Sequence, residues 1–263
     1  MILKGKVAVI YAAGGAVGSS VARAFAGEGA KLFLTGRNLA SVEKVAKEIA
    51  STGAFAEAAE VDALNEDAIG KHLQSVIEKA GRVDISFNAV GLRNTTLQGV
   101  PLAKLAIDQF LLPIDTYVKS YLLTARQAAN RMAENKSGVI MTVTSTPSRI
   151  GIPLMGGVAP AMAAVEALTR NLSAELVPQG IRVVGLRPHG MPESGTIKEV
   201  FGLHAQAWGI PWDQFHDLIA SRTHGRRLTT LTEMADMAAF MASDRASAIT
   251  GTVVNMSLGS LDD

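Results

Sequence analysis

Three stretches of this chain carry residue types at spacings that could do chemistry. The first, YAAGGAVGSSVA, runs from Tyr11 to Ala22, after an apolar run and at the opening of a helical pattern. A phosphate at such a junction would meet free backbone N–H groups and the positive end of a helix dipole. Ala12, Gly14, Gly15, Ala16, Val17 and Gly18 are small enough for backbone to come close to a ligand. The strict G-x-G-x-x-G spacing is absent, so a tight turn with helix-on-strand packing is the bland reading. Position between a first strand and a first helix favours the phosphate. The second stretch is TGRN, at 35–38. An NAD site would put a carboxylate near here for the ribose hydroxyls. Gly36 instead leaves room and Arg37 offers a fork for a phosphate, which points to NADP; a solvated surface arginine is the alternative. The third, Gly156 to Arg170, reads as a good helix but is chemically empty. Apart from Glu166, nothing between Gly156 and Leu168 takes or gives a proton.

The elements that must position these groups alternate along the chain. Strand patterns cover Lys6–Ile10, Lys31–Thr35, Phe55–Val61, Val83–Asn88, Val139–Thr144, Ile181–Leu186 and Gly251–Met256. Helical patterns cover Val17–Gly27, Leu39–Ser51, Glu66–Ala80, Asp115–Glu134, Ala161–Val177 and Thr232–Ala242. Strand–helix alternation with short connections predicts a single-domain α/β fold, a doubly wound Rossmann-type parallel sheet with helices on both faces. Residues 188–227 break the pattern. They carry Trp208, Trp212 and four histidines, and read as an excursion over the sheet's C-terminal edge, where such sheets bind ligands.

Composition narrows the function classes. The 263 residues include no cysteine, which excludes disulfides, thiolate nucleophiles and cysteine-held metals. A formal charge of +1 gives no electrostatic argument for nucleic acid or an anionic membrane. No apolar run reaches membrane-spanning length and the N-terminus lacks signal-peptide anatomy, so a cytoplasmic protein is expected.

Taken together, the segments resemble the short-chain dehydrogenase/reductase family over essentially the whole chain. KVAVIYAAGGAVG lies where that family has its TGxxxGxG loop, with Ala12 and Ala16 in place of the first two glycines. VDISFNAVG is similar to its D-x-x-x-N-N-A-G segment, and GVIMTVTS to the strand carrying its active-site serine, here Ser145. AAVEALTRNLSAEL resembles the helix after its catalytic lysine, and IRVVGLRPHG the strand ending in Pro-Gly. The segment from Arg226 to Gly259 resembles the C-terminal part of the family.

The resemblance implies a nicotinamide oxidoreductase acting on a small-molecule carbonyl or alcohol. It places Ala12, Gly14, Gly15, Ala16, Val17, Gly18, Arg37, Asp62, Ala63, Asn88, Gly91 and Met191 at the cofactor: Arg37 on the 2′-phosphate, Asp62 and Ala63 at the adenine, Asn88 and Gly91 by the ribose. It also implies a homodimer or homotetramer. The family's tyrosine and lysine positions fall on Val158 and Met162, which accounts for the empty helix, and its helix asparagine falls on Tyr117. Ser145 then reads as a donor to a substrate oxygen or as a strand-end hydroxyl bonded to local backbone. Tyr117 reads as filler of the vacated space whose hydroxyl approaches Ser145, or as plain core. His189, in the Pro-Gly position, could move protons, but a solvated loop histidine is favoured. His204, His216 and His224 lack metal spacing, and the tryptophans read as lid or interface packing. Either a slow NADP(H)-dependent oxidoreductase or a non-catalytic nucleotide-binding descendant fits.

Overall fold

Every residue of VAVIY, the first strand, is buried, because helices cover both faces of the sheet it belongs to. The computed structural model describes residues 1–262. Its strands are β1 (Val7–Tyr11), β2 (Lys31–Gly36), β3 (Ala56–Glu60), β4 (Ile85–Asn88), β5 (Gly138–Val143), β6 (Ile181–Pro188) and β7 (Thr252–Met256). They form one sheet in the order β3-β2-β1-β4-β5-β6-β7, with every pairing parallel. The direction of winding reverses between β1 and β4, so a crevice opens beyond the carboxyl ends of those strands.

The helices are α1 (Ala16–Gly27), α2 (Leu39–Ala50), α3 (Glu66–Ala80), α4 (Ile107–Asn135), α5 (Val158–Leu176), α6 (Gly195–Trp208), α7 (Trp212–Ser221) and α8 (Leu231–Ala242). Alternation along β1 divides the core. Ala8 and Ile10 pack with Val21 and Phe25 of α1, Val42 of α2 and Met234 of α8. Val7, Val9 and Tyr11 pack on the other face with Leu73 of α3, Met132 of α4 and Leu172 of α5.

Two helices start several residues earlier than the sequence pattern indicates, and α1 and α8 one residue earlier. Helix α4 begins at Ile107 and carries Pro113 inside it. That proline removes one backbone bond near the helix start, and burial of its ring and of Tyr117 and Tyr121 beyond it offsets the loss. Helix α5 begins at Val158, so Pro160 falls in its first turn, where no backbone donor is needed. The excursion at 188–227 folds into α6 and α7 around its own small cluster of Val200, Phe201, Ala205, Phe215, Ala220 and Leu228.

Candidate active site

The glycine-rich turn joins β1 to α1 at the mouth of the crevice. A Cβ on Gly18 would lie 2.5 Å from the carbonyl oxygen of Ala12, so only glycine lets α1 pack this tightly on the strand end. Gly15 caps α1 with no side-chain hydrogen bond, leaving the first-turn N–H groups for another acceptor. Ala12 holds φ at +56°, the left-handed region that favours glycine, at a cost of about 1 kcal/mol. A Cβ on Gly14 would meet Ser41 Oγ at 2.2 Å, so the start of α2 stands against the loop. Arg37, between β2 and α2, is exposed and has no ion pair among the described residues. An uncapped helix start, a close-approach turn and a free cation fit a phosphate-bearing dinucleotide.

At the ends of β3 and β4 the polar side chains are committed locally. Asp62 accepts from the N–H of Leu64 at 3.0 Å. Asn88 donates to Thr124 Oγ1 at 3.1 Å and accepts from the N–H of Val90 at 2.9 Å, so its buried amide shapes the turn rather than facing the crevice.

Beyond β5 the backbone makes a short helical turn at 146–148. Ser145 is half-buried and its hydroxyl has no hydrogen-bond partner among the described residues. The residues around it are tightly held. Glu166, 2 % exposed, accepts from Thr144 Oγ1 at 3.1 Å and from Ser148 Oγ at 2.5 Å. The same carboxylate oxygen accepts from Arg187 Nε of β6 at 2.7 Å, and both side chains are buried. On the preceding turns of α5, Val158 and Met162 lie in an apolar cluster with Tyr117, Tyr121, Ala161 and Val165.

The comparisons agree with this architecture. The family model described as enoyl-(acyl carrier protein) reductase matches residues 12–260. The chain belongs to the short-chain dehydrogenase/reductase family. As a short-chain dehydrogenase/reductase it is 28% identical over 261 residues to the 7alpha-hydroxysteroid dehydrogenase of Escherichia coli, covering 99% of this chain and 96% of that protein. It is 25% identical over 253 residues to an uncharacterized oxidoreductase of Bacillus subtilis, covering 96% of each. The crystal structure of an actinorhodin polyketide ketoreductase with NADPH superposes with a TM-score of 0.88 at 25% identity, covering 97% of each chain. An NAD+-bound xylitol dehydrogenase has the same fold, with a TM-score of 0.90 at 24% identity over 97% of this chain and 98% of that one.

On this short-chain dehydrogenase/reductase frame the sequence-derived residues separate into groups. Ala12, Gly14, Gly15, Ala16, Val17, Gly18 and Arg37 gather at the crevice mouth beside the β1 end. Met191 is buried, with its side chain in the main core. Tyr117 does lie against Val158 and Met162, but its hydroxyl does not bond Ser145. It takes a backbone bond from Leu92 instead, and burial pushes its pKa up. The tyrosine that braces the strand ends is Tyr121, which donates to the carbonyl oxygens of Val143 at 2.8 Å and Asn88 at 3.2 Å.

His189 is not the solvated residue the sequence suggests. It is half-buried, its Nδ1 accepts from the N–H of Gly190 at 2.7 Å, and burial pushes its pKa down to about 4. It is therefore neutral at pH 7, with its proton on Nε2. Sequence reasoning missed the Glu166–Arg187 pair. Its signal was a lone arginine inside the apolar run VVGLRP, which requires a buried counter-charge, and a lone carboxylate one helical turn past Met162. It also missed how the excursion is tied down. Asn94 accepts from Gln98 at 2.8 Å, and Gln98 Oε1 pairs with His204 Nε2 of α6 at 3.1 Å.

Proposed function

We propose that this protein is an NADP(H)-dependent oxidoreductase for a carbonyl/alcohol pair, with acid/base chemistry that departs from the family's tyrosine and lysine. The observation that carries the cofactor reading is the uncapped start of α1 behind a close-approach glycine turn, with Arg37 unpaired beside it. Bound there, the dinucleotide supplies or accepts the hydride. The first turn of α1 holds the pyrophosphate, with Ala12, Ala16 and Val17 as walls. Arg37 takes the 2′-phosphate. Asp62 and Ala63 border the adenine. Asn88 and Gly91 shape the ribose side, Asn88 by fixing the turn, and Met191 supports the nicotinamide end. Met162 offers no ammonium to the ribose hydroxyls, so affinity is weaker than a lysine would give.

Ser145 donates a hydrogen bond to the substrate oxygen, as its unspent hydroxyl at the β5 end supports. His189 is neutral, and burial in an apolar cluster raises the Tyr117 pKa and makes its hydroxyl a weaker acid, so water is the proton source. A missing positioned acid lowers the rate by ~10²–10⁴. The segment 188–227 covers the substrate. Carbonyl and alcohol chemistry in the names of the relatives supports the substrate class. Self-association as a dimer or tetramer belongs to the same reading. The apolar packing of Tyr117, Val158 and Met162 favours one competitor, a nucleotide-binding protein without turnover.

Calorimetry with NADPH and NADH tests the cofactor reading. Arg37→Ala is expected to weaken NADPH binding at least about tenfold, the loss of one charge-assisted bond, and to leave NADH unchanged. An unaltered NADPH/NADH ratio overturns it. Binding without turnover in a stopped-flow carbonyl panel selects the non-catalytic reading.

A further inference from the structure

The carboxylate of Glu166 joins three elements that meet at the sheet's carboxyl edge. Its oxygen accepts from Thr144, directly before Ser145, and from Ser148, three residues after it. It also accepts from Arg187, on the strand that pairs with β5. Thr144 and Arg187 stand at facing positions just past the last pair of the β5–β6 register, Val143 with Leu186, and the N–H of Thr144 bonds the carbonyl oxygen of Leu186 at 2.8 Å. Ser145 lies between two residues anchored to one atom, while its own hydroxyl is left unbonded. Nothing on Val158 or Met162 can orient that hydroxyl, because neither side chain is polar.

We propose that Glu166, with its charge neutralised by Arg187, is the positioning residue for Ser145, fixing the 144–148 turn so that the free hydroxyl faces the substrate carbonyl. This rests on the oxidoreductase reading above. The ion pair alone would serve folding equally well, so the test must separate stability from placement. Breaking a buried pair at one end leaves an uncompensated charge, whereas replacing both partners by apolar residues of similar volume is often tolerated. Glu166→Leu combined with Arg187→Met therefore removes both charges of this pair while releasing Thr144 and Ser148.

The experiment is a double-mutant cycle on NADPH-driven reduction of diacetyl and cyclohexanone, with NADPH affinity followed by fluorescence. In the parent, Ser145→Ala is expected to lower kcat/KM about 100-fold, the loss of one donor to a developing oxyanion. The Glu166→Leu/Arg187→Met variant is expected to melt near the parent, bind NADPH within about twofold of it, and lose about 10–100-fold in kcat/KM through misplacement of the hydroxyl. Adding Ser145→Ala to that variant is expected to cost less than about threefold, since the two changes act through one group. Independent costs that multiply overturn the proposal, as does a stable double variant with parent activity. A crystal structure of the double variant gives a readout that needs no turnover: an unmoved 144–148 turn and an unchanged Ser145 rotamer overturn the proposal, and displacement supports it. A parent that fails to bind NADPH strikes the cofactor reading. A parent that binds NADPH but reduces neither carbonyl strikes the turnover reading and the role of Ser145 with it.

Discussion

Single side chains decide which chemistry this site can do. Tyr117 shares one apolar cluster with Val158 and Met162, the three residues that the family resemblance sets at its asparagine, tyrosine and lysine positions. Its ring fills space, its oxygen is within reach of the Leu92 backbone N–H, and burial pushes its pKa up. Tyr117→Phe is therefore expected to keep carbonyl reduction within about twofold of the parent and to cost about 1 kcal/mol of stability, the net worth of one hydrogen bond. Tyr117→Ala should cost about 3–5 kcal/mol through the cavity it leaves. Urea unfolding of both variants, with activity of the first, checks this. A large activity loss in Tyr117→Phe would return the hydroxyl to the chemistry.

At the scale of elements, α4 does two jobs. One side buries Tyr121, Ala125, Ala128 and Met132 against the sheet and its neighbours. The other leaves Ile107 71%, Leu111 41% and Leu122 39% exposed. Apolar side chains at that helical spacing, beside Asp115, Lys119 and Arg126, are surface that a second copy would cover. A dimer or tetramer is the expected mass by light scattering at micromolar concentration, and Leu111→Glu with Leu122→Glu should shift it to the monomer. A parent of monomeric mass would end this expectation.

The whole molecule should lose stability in mild acid for a nameable reason. His72 on α3 and His189 past β6 each have a pKa pushed down to about 4 by burial. An unfolded histidine titrates near 6.5, so between about pH 6.5 and 4 the unfolded chain binds protons that the folded chain refuses. Stability is fully present above that window and falls as pH falls through it. Allowing for partial exposure, each histidine contributes about 1 kcal/mol of this loss by pH 5. Urea unfolding at pH 7 and pH 5 should show the drop, and His72→Gln should remove about half of it. A His72→Gln variant with the parent's full pH slope would assign the drop elsewhere.

Local pattern was enough to read the alternation of strands and helices, the parallel sheet and the glycine turn at its mouth. Those features depend on period-2 and 3.6-residue spacings and on backbone freedom, which neighbouring residues set among themselves. That the start of α5 carries no protonic side chain before Glu166 was legible as well, since it is a fact of composition. The starts of α4 and α5 were not: Pro113 is a breaker by local rule that packing around α4 overrides, and Pro160, tolerated in a first turn, hid a start two residues before it. Nor were the burial of His189 or the anchoring of Ser145. Which atom answers a buried charge or hydroxyl depends on what folding brings near it, and Glu166 meets Arg187 across 21 positions of chain. A buried charge must find a counter-charge, which the sequence alone requires; only the tertiary structure decides that this one holds Thr144 and Ser148, on either side of Ser145.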